Sequence, residues 1–563
     1  MYMKFASLLV LLAPAQVLGA VITISGVATD GTHPIANAII CGSHWDEVSR
    51  VSNYPDACAL TETDGSFSLS AMLVPFTTVE GVEVEGGELI GAAPGYLTAD
   101  KMVSSVDAAF VEIELSEIRD PDDINAGWIA PESCASCHNR IYDEWSQSKH
   151  AIASKNPWVF DLYNGTDAKG NPDVAPGYKL DNDDAGSCSA CHAATAFWDN
   201  GGPLDLNEIP ANHAAYGVFC ETCHKIKEVI PSGAPGVDGA ITLWRPPNGG
   251  LFAFGPYPDV TTHPMGSSYS PLFESSELCS GCHEYTNAQG VPVMDTYSDW
   301  LAIAITDDTQ HCQDCHMTTS INVEDEEVNE YVVDNPTVIQ MHGHRRNPET
   351  VHRHNFFDGE TLIPFALSLD FATYQEGNEI VVTTHLLNEV ANHRVPTGMP
   401  FRELLLTVSV VNQSTGKELS LISGPLVGAR GGALEGTPGK IFAKSLGLES
   451  GELTFAFWKA TQVLEDNRLE LGVMQESEFR FSVEEDAPLS VSVKLTYRRA
   501  SAILAQAKGW DTQDLVISDQ NSPFDAEYFE AFGCGCNTTA QSQFPFLLFF
   551  GFLLGVYASQ KRR

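Results

Sequence analysis

The sequence predicts a multidomain protein in which an irregular, mainly helical central region is flanked by two β-sandwich domains. Three observations support this prediction. The motif C-x-x-C-H occurs five times between Cys134 and His316, in a stretch rich in glycine, proline and asparagine. Apolar and polar residues alternate before and after that stretch, which is typical of strands with one buried face. The chain has 563 residues, enough for two to four domains.

The first residues predict a secretory signal peptide over residues 1–19. Lys4 precedes an apolar run from Phe5 to Leu12, and small residues near Gly19 provide a cleavage site. We therefore expect a protein secreted across the inner membrane, which acts in the periplasm or on the outer cell surface. Disulfides can form in those compartments.

Residues 20–118 predict the first β-sandwich. Segments such as ITISGVATDGTHPIANAII alternate apolar and polar residues, with turn signals between them. Cys41 and Cys58 lie outside the repeated motif and bracket one loop, so we expect them to form a disulfide. The phrases Thr63–Phe67 (TDGSF) and Pro94–Tyr96 (PGY) resemble the carboxypeptidase regulatory-like domain, a spacer or adhesion module.

The five motifs predict covalent attachment of haem c. Ten of the 14 cysteines belong to them. In C-x-x-C-H both thiols bond to the haem and the histidine ligates its iron. A structural zinc site does not require a histidine after every second cysteine. A thioredoxin-like redox motif occurs once in a domain, not five times. The cysteines are Cys134, Cys137, Cys188, Cys191, Cys220, Cys223, Cys279, Cys282, Cys312 and Cys315.

The iron ligands follow from the same motifs. The expected proximal ligands are His138, His192, His224, His283 and His316. Eight further histidines lie between residues 117 and 360, which exceeds the five distal positions of five haems. The favoured distal ligands are His150, His213, His263, His342 and His354. His311 adjoins Cys312 and is not expected to reach around its own haem, and His393 is interpreted as a loop histidine rather than a late distal ligand.

The region from Ile129 to Gly359 resembles a known family of multihaem cytochromes. C-x-x-C-H-x3-Y-x2-W-x2-S-x-H, carried by Tyr142, Trp145, Ser148 and His150, is similar to cytochromes related to the tetrahaem cytochrome c of ammonia oxidisers and to hydroxylamine oxidoreductase. The phrase GVFCETCH, Gly217–His224, resembles the same family. The resemblance implies a multihaem cytochrome c domain, here over residues 119–360. Five motifs depart from the tetrahaem pattern and leave the substrate class open.

Residues 361–500 predict the second β-sandwich, through segments such as EIVVTTHLLNEV and RELLLTVSVVN. Residues 501–533 are interpreted as a linker. In the tail, residues 534–563, Cys534 and Cys536 precede an apolar stretch and a basic end. This order resembles MYXO-CTERM sorting signals. The alternative is a plain membrane anchor, although fifteen apolar residues fall short of the usual 20 or so.

The acidic composition limits the function. With 74 acidic and 31 basic residues the formal charge is −43, which argues against nucleic-acid binding. Basic or membrane-bound redox partners fit this charge, as does adaptation to salty surroundings. The leading interpretation is electron transfer between a membrane-side donor and an outer acceptor. The alternative is an oxidoreductase acting on a small nitrogen or sulfur compound at one open haem. A structural or adhesive role would leave the haems unexplained.

Overall fold

The structure is a computed structural model that describes residues 20–43, 58–77, 83–104, 110–214, 216–247, 250–260, 265–304, 309–318, 351–483, 487–512 and 514–524. The predicted signal peptide and the tail, residues 534–563, lie outside these ranges. No helix in the described ranges is long and apolar enough to cross a membrane.

The N-terminal region is a set of seven connected strands. They are β1 Ala20–Thr29, β2 Ile39–Ser43, β3 Cys58–Leu60, β4 Ser66–Thr77, β5 Glu83–Ala92, β6 Ala99–Ser104 and β7 Val111–Glu114. Their order is β3-β2-β5-β4-β1-β7, with β6 on the far side of β5. β4 pairs with β1 through its first part and with β5 through its last, so one long strand connects the two halves.

Two features of this region explain phrases in the sequence. Cys41 and Cys58 face each other across β2 and β3 and form a disulfide. Gly65, at the centre of TDGSF, has φ +76°, and a Cβ there would lie 2.7 Å from the Ala28 carbonyl oxygen. Only glycine avoids both the strained backbone and the clash, so the turn into β4 depends on it.

The central region contains eleven short helices within the described ranges. They are α1 Pro131–Cys134, α2 Asn139–Ser146, α3 Pro157–Asn164, α4 Tyr178–Asp181, α5 Cys188–His192, α6 Ala194–Asn200, α7 Ala211–Ala214, α8 Cys220–His224, α9 Glu277–His283, α10 Thr296–Ile303 and α11 Cys312–His316. The longest have eight residues. Such helices are too short to be stable alone, so they depend on what they pack against.

The described part of the central region also contains three two-stranded pairings. They join β8 Ile226–Val229 to β9 Ile241–Leu243, β10 Phe252–Gly255 to β11 Gly266–Tyr269, and β12 Glu284–Thr286 to β13 Pro292–Asp295. Arg245, after β9, is 1% exposed and ion-pairs with Asp122 and Asp199 at 2.7 and 2.9 Å. These bonds tie the segment that leaves β7 to the central region.

The C-terminal region is mainly β. Its elements are α12 Gly359–Ala366, β14 Leu367–Glu376, β15 Glu379–Asn388, β16 Glu403–Asn412, β17 Leu421–Ser423, β18 Gly439–Phe442, β19 Lys444–Gly447, β20 Gln462–Asp466, β21 Gln475–Ser482, β22 Leu489–Arg498, α13 Ala502–Lys508 and β23 Leu515–Phe524. One four-stranded sheet has the order β14-β15-β21-β17, a second has the order β18-β16-β22-β23, and β19 pairs with β20 in a two-stranded sheet.

These two four-stranded sheets share one hydrophobic core. Ile380 and Val382 of β15 and Phe479 of β21 pack in the same cluster as Leu406 of β16 and Val493 of β22, and all five are almost completely buried. Alternation along β15, β16 and β22 places the apolar side chains on the inner face of each strand.

The structure corrects the predicted linker, residues 501–533, in its described part, which contains α13 and β23. β23 pairs with β22 along its whole length and forms the edge of a sheet. α13 packs Leu504 and Ala505 against Phe401 and Trp510. Strand β23 alternates half-buried and exposed residues, a weaker pattern than the near-continuous apolar strands, which explains why the sequence suggested a linker.

Candidate haem site

The motifs lie on single helical turns. α5, α8 and α11 each begin at the first cysteine and end at the histidine, and α9 ends on the fourth motif. In the first motif Cys134 ends α1 and His138 caps α2. Residues i, i+3 and i+4 share one face of a helix, so each turn presents two thiols and one imidazole in the same direction.

All five turns face one continuous cavity. All ten motif cysteines and all five motif histidines line it, and its volume is about 1920 Å³. A pocket for a single small molecule rarely exceeds about 1,000 Å³. Apolar side chains such as Trp145, Leu162, Phe219 and Phe273 make up much of the remaining wall. The cavity therefore has the size and lining for several large, flat, apolar groups attached to the thiols.

Thiols of different motifs touch each other. Cys134 of the first motif contacts Cys220 of the third, and Cys191 of the second contacts Cys282 of the fourth. Cys279 of the fourth motif contacts Cys312 of the fifth. The attachment points of neighbouring groups are therefore adjacent, and the fourth motif lies at the junction of the second and the fifth.

Three motif histidines face a second histidine across the cavity. The ring centres of His224 and His354 are 6.4 Å apart, with planes at 24°. Those of His316 and His393 are also 6.4 Å apart, at 23°. A metal–imidazole bond is about 2.0 Å long, so two imidazoles on opposite faces of one metal ion have centres about 6 Å apart. Both spacings fit an axial pair.

The third pair joins His283 of the fourth motif to His150. Their ring centres lie 6.2 Å apart, with planes at 81°. Rings on one metal ion can rotate about their metal–nitrogen bonds, so a perpendicular pair is as acceptable as a parallel one. His150 was predicted as a distal ligand. The structure places it opposite the fourth motif.

Backbone carbonyls fix several of these rings. Nδ1 of His224 donates to the Phe254 carbonyl at 2.7 Å, and Nδ1 of His316 donates to that of Phe357 at 2.6 Å. Nδ1 of His393 donates to the Arg394 carbonyl at 2.9 Å. A carbonyl only accepts, so the proton is on Nδ1 and the lone pair of Nε2 remains available. This is the usual arrangement of a metal-ligating histidine.

Burial keeps the imidazoles neutral. It is the main cause that lowers the pKa of His150 to about 3 and those of His283 and His393 to about 4, and neighbouring histidines lower them further. The same cause lowers the pKa of His192 and His224. Only the neutral ring binds a metal, so these side chains are in the ligating form at neutral pH.

Trp145 and Gly217 lie on either side of a contact that positions the backbone of His150. The Trp145 indole N–H donates to the Val218 carbonyl at 2.8 Å, and the Val218 N–H donates to the His150 carbonyl at 2.9 Å. Gly217 has φ +61°, and a Cβ there would lie 2.4 Å from the same His150 carbonyl oxygen. The segment Trp145–His150 and the segment GVFC, residues 217–220, therefore contact each other, and this contact joins the first and third motifs.

An ion-pair cluster holds the loop that carries His393. Asp299 of α10 pairs with Arg394 at 2.8 Å and with Arg468 at 3.1 Å. Arg468 also pairs with Asp295 at 3.0 Å and Asp466 at 2.6 Å, and it is 5% exposed. The cluster joins the central region to the C-terminal region beside the fifth motif.

The other predicted distal histidines have different outcomes. His354 lies opposite His224, as described above. His263 and His342 fall outside the described residues, and His213 is on α7 with its side chain outside the description. His311 lines the cavity, but its Nδ1 accepts from the Ser276 N–H at 3.1 Å. His393 was interpreted as a loop histidine, yet the structure places it opposite His316.

Sequence spacing could not identify His393 because it lies 77 positions after its partner, in the other region of the chain. His393 begins the segment HRVPTGMPFR, residues 393–402. In the structure Thr397 of this segment hydrogen-bonds Thr296 of α10 at 2.8 Å, and Arg402 lines the cavity.

The residues of the cavity fit haem c. Each thiol pair has an imidazole on the same helical turn, and the wall is apolar and aromatic. Tyr163, Tyr178 and Tyr285 lie around Cys188 of the second motif. Burial raises the pKa of Tyr285 to about 12, so its phenol is neutral. No cluster of histidine, cysteine and carboxylate typical of a separate metal ion occurs in the described part of the chain.

Comparison with known proteins agrees with this fit. Residues 133–225 match the family model described as "Cytochrome c554 and c-prime". The penta-heme cytochrome c552 from Thermochromatium tepidum shares the fold, with a TM-score of 0.52 and 22% identity over 72% of this chain and 100% of that one. Both findings support a multihaem c-type cytochrome. Electron transfer is the general role of such a cytochrome, and haem c is its cofactor.

Two further comparisons do not extend this result. No curated protein matches the chain. The Danio rerio Fcho1 mu homology domain with bound Eps15 peptide covers 28% of this chain and 44% of its own, at 14% identity and a TM-score of 0.12. This similarity is too low to indicate a shared fold.

Proposed function

We propose that the chain is an extracytoplasmic pentahaem c-type cytochrome that transfers electrons between a membrane-side donor and an outer acceptor. The observation that carries the proposal is the single cavity lined by five complete C-x-x-C-H turns. Five haems also match the penta-heme cytochrome c552 from Thermochromatium tepidum, which shares the fold. Bound haem supplies a one-electron iron couple, and the protein sets each potential through ligands, hydrogen bonds and burial.

The chain's own residues make a relay possible. Cysteine pairs of different motifs are in contact, so they hold neighbouring cofactors close to each other. We propose three axial pairs, His150 with His283, His224 with His354, and His316 with His393. Neutral imidazoles on both sides of an iron leave no position for a substrate. That favours electron transfer over turnover of a small molecule at these three sites.

The proposal extends to the rest of the chain. We propose that residues 20–118 form a β-sandwich of the carboxypeptidase regulatory-like type and that the two C-terminal sheets form a second one. The signal peptide and the tail direct the protein across the inner membrane and hold it at the periplasmic or outer cell surface. Basic redox partners suit a chain with a formal charge of −43.

Mass and kinetics together test the proposed function. The intact mass of the mature protein should exceed the polypeptide mass by five haem groups. Stopped-flow reduction by a basic electron-carrier protein should be fast at low salt and slower as salt rises, because screening weakens the attraction. Absence of bound haem would contradict the proposal. So would steady turnover of nitrite, hydroxylamine, sulfite or tetrathionate at a rate comparable to electron exchange.

A further inference from the structure

Few cations face the cavity. Apart from histidines, Lys149, Arg402 and Arg499 are the positively charged side chains on its described wall. Arg499 already pairs with Glu360 at 3.3 Å and lies over the Trp158 ring at 4.5 Å. Haem carries two propionate carboxylates, and a cation on the cavity wall can bind one of them. The best placed of them is Arg402.

Arg402 is held in place by the loop that carries His393. Its Nη1 donates to the Thr397 carbonyl at 3.0 Å. Gly398 has φ +80°, and a Cβ there would lie 2.9 Å from the same Nη1. A side chain at Gly398 would therefore displace the guanidinium of Arg402. Thr397, the residue before Gly398, anchors the guanidinium through its backbone carbonyl. The loop positions Arg402 at the cavity wall.

Arg402 differs from the neighbouring arginines in its charge balance. Arg430 and Arg498 share the fully buried carboxylate of Glu403, at 3.2 and 3.5 Å. Arg402 is half-buried, and no carboxylate of the described residues forms an ion pair with it. Removing a guanidinium from water without a compensating anion costs free energy, so we expect an anionic hydrogen-bond acceptor on the cavity side of Arg402.

Arg402 lies where the C-terminal region meets the central region. Thr397, which accepts from Arg402, hydrogen-bonds Thr296 of α10 at 2.8 Å, and His393 of the same loop faces His316. A charge placed here therefore lies on the wall that both regions form around the cavity.

We infer that Arg402 binds a propionate carboxylate of a haem held in the cavity and thereby raises the reduction potential of that haem. The forked N–H donors of arginine match a carboxylate. A nearby cation disfavours the oxidised iron, which carries one more positive charge than the reduced iron. The inference rests on the proposed haem content. It makes the C-terminal region part of the electron-transfer unit, because that region supplies both a ligand and a potential-setting charge.

Spectroelectrochemical titration of the full-length protein tests this inference. R402Q should keep the parent's haem number by intact mass. At a fixed potential one of its haems should show about a tenfold lower ratio of reduced to oxidised iron, which corresponds to about 59 mV for one electron. R402K should stay close to the parent. R480Q is the matched control, because Arg480 pairs with Glu376, Glu379 and Glu478 on the outer side of the same region.

Two outcomes would overturn the inference while leaving the proposed function intact. One is a haem-loaded R402Q protein with an unchanged titration. The other is a reduction potential of the parent protein that changes when sulfate is added, with no such change in R402Q. That result would make Arg402 a site for free oxyanions. If R402Q does not accumulate, resonance Raman spectroscopy of R402K decides: its propionate bending band should shift relative to parent and R480Q, and an unshifted band contradicts the inference.

Discussion

His316 and His393 face each other across the boundary between the central and C-terminal regions, with ring centres 6.4 Å apart. One belongs to the fifth C-x-x-C-H turn and the other to a loop between two strands of the C-terminal region. Each ring donates its Nδ1 proton to a backbone carbonyl, so both present Nε2 to the same space. The two regions are therefore joined by a candidate ligand pair, in addition to their polar contacts.

Replacing His393 with alanine should open one iron without releasing the haem. Cys312, Cys315 and His316 would still hold it, so the intact mass should keep the full haem count. The electron paramagnetic resonance spectrum should gain a high-spin signal that added imidazole removes. His385→Ala is the control, since His385 lies on β15 with a partly exposed side chain near Glu476. An unchanged spectrum would show that His393 does not ligate an iron.

Trp145→Phe should destabilise the contact between the first and third motifs. The change keeps an aromatic ring but leaves the Val218 carbonyl without the indole donor, which costs about 1–3 kcal/mol of unfolding free energy. Denaturant unfolding followed by circular dichroism measures this loss. Trp458→Phe removes a more exposed hydrogen bond to Asp181 and should cost much less. Equal losses in the two variants would argue against a special role for the Trp145 contact.

Lys508→Met tests a buried cation at the junction of α13 and the central region. Lys508 is fully buried, and its Nζ donates to the carbonyls of Asp161, Thr166 and Val174 at 3.0, 2.9 and 2.6 Å. The substitution leaves these acceptors unpaired, so at neutral pH we expect a loss of about 3 kcal/mol in thermal or denaturant unfolding. A stability equal to that of the parent would mean that the desolvation cost of Lys508 offsets its hydrogen bonds.

The same variant has a predicted pH signature. Burial lowers the pKa of Lys508 to about 8 from its unfolded value of about 10.5. Below pH 8 both states are protonated and the burial penalty is constant. Between pH 8 and 10.5 the unfolded chain binds more protons, so the parent should gain stability relative to K508M as pH rises, by at most about 1.4 kcal/mol per pH unit. A flat difference across this window would contradict the lowered pKa.

Deleting residues 534–563 should release the protein from the membrane fraction. The apolar tail is the proposed anchor or sorting signal, and within the described ranges no helix is long and apolar enough to span a membrane. The truncated protein should appear in the periplasm or medium with its full haem mass. A variant that changes only Lys561, Arg562 and Arg563 to glutamine separates the contribution of the basic end from that of the apolar segment. Retention of the deleted form at the membrane would require a different anchor.

Local chemistry is what the sequence alone determined. A thiol pair and an imidazole on one helical turn interact within five residues, so five C-x-x-C-H motifs were enough to predict the attachment sites and proximal histidines. Alternation in strands such as Glu379–Asn388 and Glu403–Asn412 likewise predicted β structure, because period-two burial is local. The weakly alternating strand Leu515–Phe524 escaped this reasoning and was taken for a linker.

Only the tertiary structure decided which groups meet across the cavity. The pairings of His150 with His283 and of His316 with His393 depend on how distant segments pack, and no spacing in the sequence encodes them. The position of Arg402 depends in the same way on a loop carbonyl and on the missing side chain of Gly398. The physical reason is range: attachment requires neighbours along the chain, whereas axial ligation and charge compensation require neighbours in space.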